Sequence, residues 1–533
     1  MKKKLIIVAA ALVALILVVS IINGKFAKGI HKTFDSPKKY MAYVEKQAIL
    51  GKKDNTVRSI YNHLSNRLTD EDQALEEKVT LTIGEAGASY LRLAKAAGVD
   101  LTWLQSAGFK YYVNTKDNDV EMKTTLYLNE KEIANPTVIL DSNKKVVYAK
   151  IPELSKDVVK YDLEEYAEQF DEIIKKAEKV RLAYPDIKKL DKLADKYIKL
   201  ALDGLENVEK DKGEFEAGDI SQKCTIIRAT IKEKDVKKIV SSVAKEAAKD
   251  QDLKALFLDL AKALELGDAS DAWNAFSEGM TELAEEFPER ELDFEKIVVE
   301  LYVDGDGKIV GRTYKIVPVD GMDMQVKLGT ATKGSNKGFE ASFKYGENAV
   351  KLSGTGKVKG GKLSGEYALR VMGEKVVTFT VDKFDQNAWD DGYLKGHFTC
   401  ELEGDLSEMM NLSSLLPYSI RRTLRDYEDT LENMSAAIEP SFDLIIDTSK
   451  NKHKIDFGVL NHDEEIFRIA FQGTMKEGSK VKIPSKAVDV SDTSELADFV
   501  DGLDMDKILD TLDSADVPKE YREIISSYLK YIR

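Results

Sequence analysis

The chain has 533 residues, a formal net charge of −14 and 43% hydrophobic residues. So acidic a chain repels the phosphate backbone, and we therefore expect no nucleic-acid partner. The two cysteines are too few for a disulfide scaffold. Cys224 and Cys400 could pair, but both lie in alternating strand patterns, which favours buried, unpaired thiols.

The most apolar stretch lies at the start, where residues 5–22 follow Met1 and three lysines. A helix of that length rises about 27 Å, close to the hydrocarbon thickness of a bilayer. Cleaved signal peptides usually have a shorter apolar core. We therefore predict that residues 1–24 form a cytoplasmic tail and an uncleaved transmembrane signal anchor. A cleaved leader is the alternative.

Lysines flank both sides of this segment, so charge counting alone does not orient it. Moving the short tri-lysine tail outward against the membrane potential is costly, whereas long domains are translocated largely regardless of charge. We predict a single-pass protein of the cell membrane whose bulk is extracytoplasmic.

About 500 further residues exceed what one hydrophobic core usually covers, so we predict subdomains. A juxtamembrane helical region is expected at 25–78 and an α+β subdomain with long helices at 79–290. An antiparallel-sheet subdomain is expected at 291–533, with helices at 405–438 and 493–533.

Within 79–290, two periodicities of the apolar residues distinguish strands from helices. The alternating segments predict strands at Val79–Ile83, Lys110–Asn114, Glu121–Leu128, Thr137–Leu140, Val146–Ile151 and Cys224–Ile231. The segments with apolar residues every three or four positions predict helices at Leu91–Gln105, 163–184, 187–200, Val236–Leu264 and Ala269–Phe287.

From Glu291 to Leu406 the chain alternates apolar and polar residues almost throughout, as in an antiparallel sheet covered on one side. Further strands are expected at Ser441–Asp447, Lys454–Leu460 and Phe467–Met475, and an apolar stripe predicts a helix at 420–438. The fold class we predict is α+β, with an N-terminal transmembrane helix followed by curved antiparallel sheets covered by long helices.

Four candidate sites fail on their chemistry. Gly356–Leu363 has phosphate-loop spacing but lacks the following Ser or Thr and precedes a strand, so a hairpin turn is expected. Asp304–Gly307 begins like a calcium loop, but Lys315 stands where a glutamate should, which again indicates a turn. Ser242–Lys245 lacks the partner motifs of penicillin-recognising enzymes. The histidines show no metal-binding spacing; they are His31, His63, His397, His453 and His462. We predict no catalytic, cofactor-binding or metal site, and no enzymatic activity.

The lysine-led apolar leader and the segment Val147–Ser155 carry a resemblance. The leader resembles those of uncharacterised membrane-anchored proteins of bacterial cell envelopes. Val147–Ser155 is similar to a stretch of lipoprotein-carrier-like sheets, which implies a concave apolar face that binds acyl chains. No site residue transfers from this resemblance, and the lipobox cysteine of many such proteins is absent.

Three functions follow as hypotheses. The first is a membrane-anchored envelope protein with a non-enzymatic interaction or structural role, whose partner is another envelope protein. The alternative is a binding protein that holds a lipid or another apolar ligand in a groove of its sheet. The third, which we favour least, is an enzyme whose site is assembled from residues distant in sequence.

Overall fold

The computed structural model describes residues 36–50, 58–63, 72–96, 100–163, 187–263, 268–403, 440–461, 463–491 and 493–532. The predicted anchor at 5–22 and the predicted helices at 405–438 lie outside the described residues, as does nearly all of the predicted helix at 163–184.

The helices of the described residues are short to medium in length. They are α1 (Pro37–Leu50), α2 (Glu85–Ala96), α3 (Ile187–Asp203), α4 (Glu233–Ala247), α5 (Gln251–Ala263), α6 (Ala269–Glu286), α7 (Gln386–Asp390), α8 (Thr493–Asp501), α9 (Met505–Ser514) and α10 (Lys519–Ile532). Residues 58–63 are also helical, and Phe287–Glu289 form a 3₁₀ turn after α6.

Twenty-one strands lie within the described residues. The first nine are β1 (Gln73–Ile83), β2 (Ser106–Lys116), β3 (Asp119–Leu128), β4 (Lys131–Ala134), β5 (Thr137–Asp141), β6 (Val146–Lys150), β7 (Val159–Asp162), β8 (Asn207–Ala217) and β9 (Ile220–Lys232). The next eight are β10 (Lys296–Val303), β11 (Ile309–Val317), β12 (Met324–Lys333), β13 (Asn336–Tyr345), β14 (Asn348–Lys359), β15 (Lys362–Val371), β16 (Glu374–Asp385) and β17 (Lys395–Leu402). The last four are β18 (Pro440–Thr448), β19 (Lys452–Asn461), β20 (Glu464–Glu477) and β21 (Val488–Asp489).

The chain divides into two compact units. Unit 1 comprises Met1–Thr69 and Lys175–Tyr393, and unit 2 comprises Asp70–Ile174 and Leu394–Arg533. Each unit is therefore built from two separate stretches of sequence, and each has its own antiparallel strands.

In unit 1, strands β8 to β16 follow one another as an antiparallel meander in sequence order. Helices α4, α5 and α6 are inserted between β9 and β10, which are themselves neighbours. Short glycine turns join the later strands, for example Gly360–Gly361 between β14 and β15, where both residues have positive φ.

Helix α1 covers the first part of this sheet. Its Tyr40, Met41 and Val44 pack against Ile227 of β9 and Leu301 of β10 in the largest buried cluster of unit 1. These helix positions lie three and four residues apart, so they share one face of the helix. The side chains of α1 thus meet the apolar side of β9 and β10.

The longer helices of unit 1 pack mainly on one another. Ala244 and Ala247 of α4 form a buried cluster with Met280 and Ala284 of α6. Phe257 of α5 joins the aromatic rings of α6 through contacts of 5.6 and 5.9 Å between ring centroids. Their apolar stripes are buried mainly in this helical cluster, although Ile239 of α4 also packs against the cluster beneath α1.

In unit 2 the strands run in the spatial order β17-β18-β19-β20-β1-β2-β3-β5-β6-β7-β21, and β4 also pairs with β3. Every pairing is antiparallel except that of β7 with β21. The β20–β1 pairing joins the two stretches of sequence, with Phe471 opposite Val79. Helices α9 and α10 pack with Leu128 at the end of β3 and with Trp103.

These observations correct the predicted fold class. Antiparallel strands dominate the described residues, and the long helices are not a layer that covers the sheets. The prediction was wrong because an amphipathic stripe records that a helix buries one face, but not which element buries it. In unit 1 that element is usually another helix.

The predicted membrane location also needs correction. In the part of the chain that the structure describes, each helix is too short or too polar to cross a bilayer. This finding contradicts the predicted single-pass anchor and cell-membrane location. The segment on which that prediction depended, residues 5–22, lies outside the described part of the chain.

Candidate binding faces

The apolar side of the unit 1 sheet continues past the strands that α1 covers. Tyr314 of β11 lies opposite Val326 of β12, which lies opposite Phe343 of β13. We call this continuation the unit 1 face; it comprises Val326, Leu328, Phe343, Tyr345, Val350, Leu352 and Leu369. Val326, Phe343 and Tyr345 are 39%, 48% and 46% exposed, respectively. These large apolar side chains therefore face solvent.

An ion pair joins α1 to the sheet where this face begins. Arg312, only 3% exposed, makes a two-pronged contact with Glu45 of α1, with Nη2 2.8 Å from Oε2. Burial alone would lower the pKa of Arg312, but the charge and hydrogen bonds of Glu45 raise it above its ordinary value. The covering helix thus presents an acid to the buried base of the apolar sheet face beneath it.

The unit 2 sheet also has an apolar side, and its side chains fall into rows across the strands. One row is Phe471, Val79, Phe109 and Leu126, on four successive strands from β20 to β3. A second row, four residues further along the strands, includes Leu75, Val113, Met122 and Val138. We call these two rows, with the side chains between them, the unit 2 face.

Several members of the unit 2 face are exposed. The exposed fractions are 36% for Phe471, 40% for Phe109, 43% for Leu126, 44% for Met122 and 40% for Val138. Contiguous apolar side chains exposed to this degree on one sheet face are typical of an interaction surface.

A row of polar side chains lies between these two apolar rows. Glu77 of β1 accepts a hydrogen bond from the hydroxyl of Tyr111 at 2.8 Å, and its other carboxylate oxygen lies 3.2 Å from Nε2 of His453. We call these three residues the polar row. Burial and the hydrogen bond to Glu77 raise the pKa of Tyr111 to about 12, so its hydroxyl stays protonated.

A glycine lets His453 reach Glu77. The two residues lie on β19 and β1, with Gly473 of β20 between them. A Cβ at position 473 would lie 2.2 Å from Cε1 of His453. Only a glycine therefore lets the imidazole cross the intervening strand.

The opposite side of the same sheet carries a second histidine–carboxylate cluster. Asp443 contacts His397 and accepts a hydrogen bond from Nη2 of Arg468 at 2.9 Å, while Nε of Arg468 bonds Glu465 at 2.7 Å. Burial would raise the pKa of Asp443, but the hydrogen bonds from Arg468 and His397 lower it below its ordinary value. In this cluster Arg468 offsets the charge of the acid, which is not the case at Glu77.

The motifs weighed in the sequence occupy ordinary structural positions. Gly356–Leu363 forms the end of β14, a two-glycine turn and the start of β15, as predicted. Asp304–Gly307 is a turn in which the Asp304 carboxylate accepts hydrogen bonds from the backbone amides of Asp306 and Lys308. Ser242–Lys245 lies within α4.

The histidines and cysteines are dispersed as well. His63 stacks on Tyr393, His31 and His462 lie outside the described residues, and no group of potential metal ligands occurs among the residues the structure describes. In that same part of the chain no disulfide is present; Cys224 is buried as predicted, whereas Cys400 is only half-buried.

The sequence contained an unused signal for the polar row. Glu77 stands in phase with Leu75, Val79 and Leu81, so an acid occupies an apolar position of the alternation. His453 is likewise in phase with Ile455 and Phe457. The pattern shows that these polar groups point to the apolar side, but only the strand pairing brings them together.

Comparison with known proteins gave no match, either to a protein-family model or to a curated protein.

Proposed function

We propose that this chain is a non-enzymatic interaction protein that binds a partner protein through the exposed apolar faces of its antiparallel sheets. The observation that carries the proposal is the contiguous exposure of large apolar side chains on the unit 1 face and, separately, on the unit 2 face. A packed core would bury these side chains, and a surface without a partner rarely keeps them together.

The shape of these faces favours a protein over a small ligand. Sites for small molecules are concave and enclose roughly 70–90% of the ligand surface. Phe343, Tyr345 and Phe109, in contrast, stand on sheet faces with 40% or more of their surface exposed. Helix α1 illustrates a suitable cover, because it places an amphipathic surface on the apolar strands β9 and β10.

The area involved sets the scale of the binding energy. With roughly 150–200 Å² for each fully exposed side chain, the five exposed residues of the unit 2 face offer about 350 Å². At about 25 cal/mol per Å², its burial contributes about 9 kcal/mol. Association costs about 4–15 kcal/mol. Apolar contact therefore roughly offsets the cost of association, and further contacts must supply the net affinity and the specificity.

The proposal is tested by native mass spectrometry of the full chain purified gently from its host. Phe343→Ser removes an exposed member of the unit 1 face, and Lys344→Ser is the matched control on the neighbouring residue, which points to the opposite side of β13. We expect a protein partner to accompany the wild type and the Lys344→Ser variant, and to be lost from the Phe343→Ser variant. The partner, once identified by mass, is then titrated into the purified chain.

Other outcomes separate the alternatives. A bound lipid that disappears with Phe343→Ser favours the apolar-ligand hypothesis. A mass of two copies of this chain assigns the face to self-association. A chain that carries no partner, or a partner retained equally by both variants, contradicts the proposal for unit 1.

A further inference from the structure

We propose that the unit 2 face binds an amphipathic helix that carries a single arginine or lysine within its apolar stripe, and that Glu77 receives this cation. The inference rests on the proposed function, because it specifies the chemistry of a protein partner for one of the two faces.

Charge complementarity is the first reason. Glu77 lies between two apolar rows, and its side chain is 18% exposed. Its described partners are the phenol of Tyr111 and the imidazole of His453, and neither group carries a permanent positive charge. A carboxylate in an apolar surface is costly unless a cation pairs with it. A partner that covers this face must therefore supply the cation or leave the acid unpaired in the interface.

Unit 1 shows how the same problem is solved within this protein. There, an apolar sheet face is covered by α1, whose Tyr40, Met41 and Val44 contact the strands. The one buried base of that face, Arg312, pairs with Glu45 from the middle of the same helix. The unit 2 face presents the complementary case, since the charged residue on this face, Glu77, is an acid. The matching helix would carry a base at the corresponding place in its stripe.

The spacing of the rows suits one helix. Along the strands, the polar row lies two residues from the row of Phe471, Val79, Phe109 and Leu126, which is about 7 Å. A helix with its side chains is about 10–12 Å across. A helix lying across the strands would therefore reach the apolar row and the carboxylate of Glu77 together. The row itself spans three strand spacings, about 14 Å, or roughly nine helical residues.

An aromatic ring beside the acid adds to the attraction for a cation. Phe109 and Tyr111 are successive residues on this side of β2, with ring centroids 6.2 Å apart and planes inclined by 25°. Arginine stacks on aromatic faces as well as forming two parallel hydrogen bonds to a carboxylate. We therefore expect arginine to bind better than lysine.

The test uses the full chain and two synthetic peptides as probes. Each is an 18-residue helix with leucines along one stripe and uncharged polar residues elsewhere; one has arginine at the centre of the stripe and the other has glutamine there. Fluorescence anisotropy gives their dissociation constants. Because hydrogen bonds to charged groups are stronger than neutral ones, the arginine peptide should bind about 10-fold more tightly.

Three variants locate the effect. Glu77→Gln should abolish the preference for arginine: the arginine peptide should bind more weakly, and the glutamine peptide should bind more tightly, because it no longer covers an unpaired carboxylate. Glu76→Gln is the matched control, because it removes the same charge from the adjacent residue, whose carboxylate pairs with Lys110 on the opposite side of the sheet. Phe109→Ser should weaken both peptides at least 5-fold. Thermal unfolding of each variant verifies that unit 2 remains folded.

The possible failures are distinguishable. If both peptides bind equally and both are weakened by Phe109→Ser, the role of Glu77 is wrong, but the face still binds a protein helix. If neither peptide binds at millimolar concentration, both the inference and the proposed function of this face are overturned. If Glu76→Gln reduces the preference as much as Glu77→Gln does, the selection arises from the general charge of the protein and the inference fails.

Discussion

The contact between Glu45 and Arg312 gives the sharpest prediction about stability. Arg312 is 3% exposed, and each of its two Nη atoms lies within hydrogen-bond distance of a different oxygen of Glu45. Glu45→Gln preserves the size of the side chain but leaves the buried guanidinium without its counter-charge. Loss of one partner from a buried ion pair costs about 3–5 kcal/mol. We expect the free energy of unfolding of unit 1 to fall by this amount.

The double variant Glu45→Met/Arg312→Met tests the same reasoning from the other side. Replacing both partners of a buried pair by apolar residues is often neutral or stabilising, so the double variant should recover most of the stability lost in Glu45→Gln. Lys46→Gln is the surface control. Its partner Asp195 and Lys46 itself are about half exposed, so this change should cost less than about 1 kcal/mol.

Urea unfolding followed by tryptophan fluorescence provides the assay. Trp273 and Trp389 lie in unit 1 and Trp103 lies in unit 2, so single-tryptophan variants report on each unit separately. A loss below about 1 kcal/mol for Glu45→Gln, or a double variant less stable than Glu45→Gln, would refute the view that this pair fixes α1 to the sheet.

Two further predictions concern the clusters of unit 2. Gly473→Ala places a methyl group 2.2 Å from Cε1 of His453, so we expect a loss of about 1–3 kcal/mol in urea unfolding, and less when His453→Ala is also present. A loss that is equal in both backgrounds contradicts the close approach. The pKa of Asp443 is lower in the folded state than in the unfolded state, so its stabilisation is complete above about pH 4 and is lost as the pH falls through the lower folded value. Acid titration of unfolding should therefore show a steeper loss of stability in the wild type than in Asp443→Asn, and parallel curves would contradict this.

Much of the local structure could be predicted from the sequence. The predicted strand Cys224–Ile231 lies within β9, and Glu121–Leu128 lies within β3. In β9, however, both sides of the strand are buried: Ile227 belongs to the cluster beneath α1, and Cys224 belongs to a second cluster with Phe215 on the other side. Helix α6 ends at Glu286, one residue before the predicted end of Ala269–Phe287.

Two of the predicted helices have the wrong bounds. The predicted helix Val236–Leu264 is two helices, because the carboxylate of Asp250 accepts hydrogen bonds from the amides of Asp252 and Leu253 and starts α5 there. The predicted helix Leu91–Gln105 begins and ends earlier, at Glu85 and Ala96. In the sequence, the apolar stripe continues past the break at Asp250 and past the end of α2 at Ala96, so periodicity alone does not reveal either helix end.

The candidate faces lay beyond sequence reasoning for a different reason. Alternation shows that Val79 and Phe471 are each on an apolar side, but nothing in the pattern pairs β1 with β20 across nearly four hundred residues. Whether an apolar side is covered by a helix or exposed also depends on the packing of distant elements. The exposure of Phe343 and Phe109 is therefore information that only the three-dimensional structure gives.

Site-specific photo-crosslinking in the host tests the proposed role of the two faces most directly. A photoreactive phenylalanine analogue at position 343 or 109 stands on an exposed apolar face, whereas the same group at 344 or 110 points to the opposite side of the same strand. We predict crosslinks to another protein from positions 343 and 109 and few from their neighbours. Equal crosslinking from both sides of the strands, or none from positions 343 and 109, would contradict the proposal that these faces bind a partner.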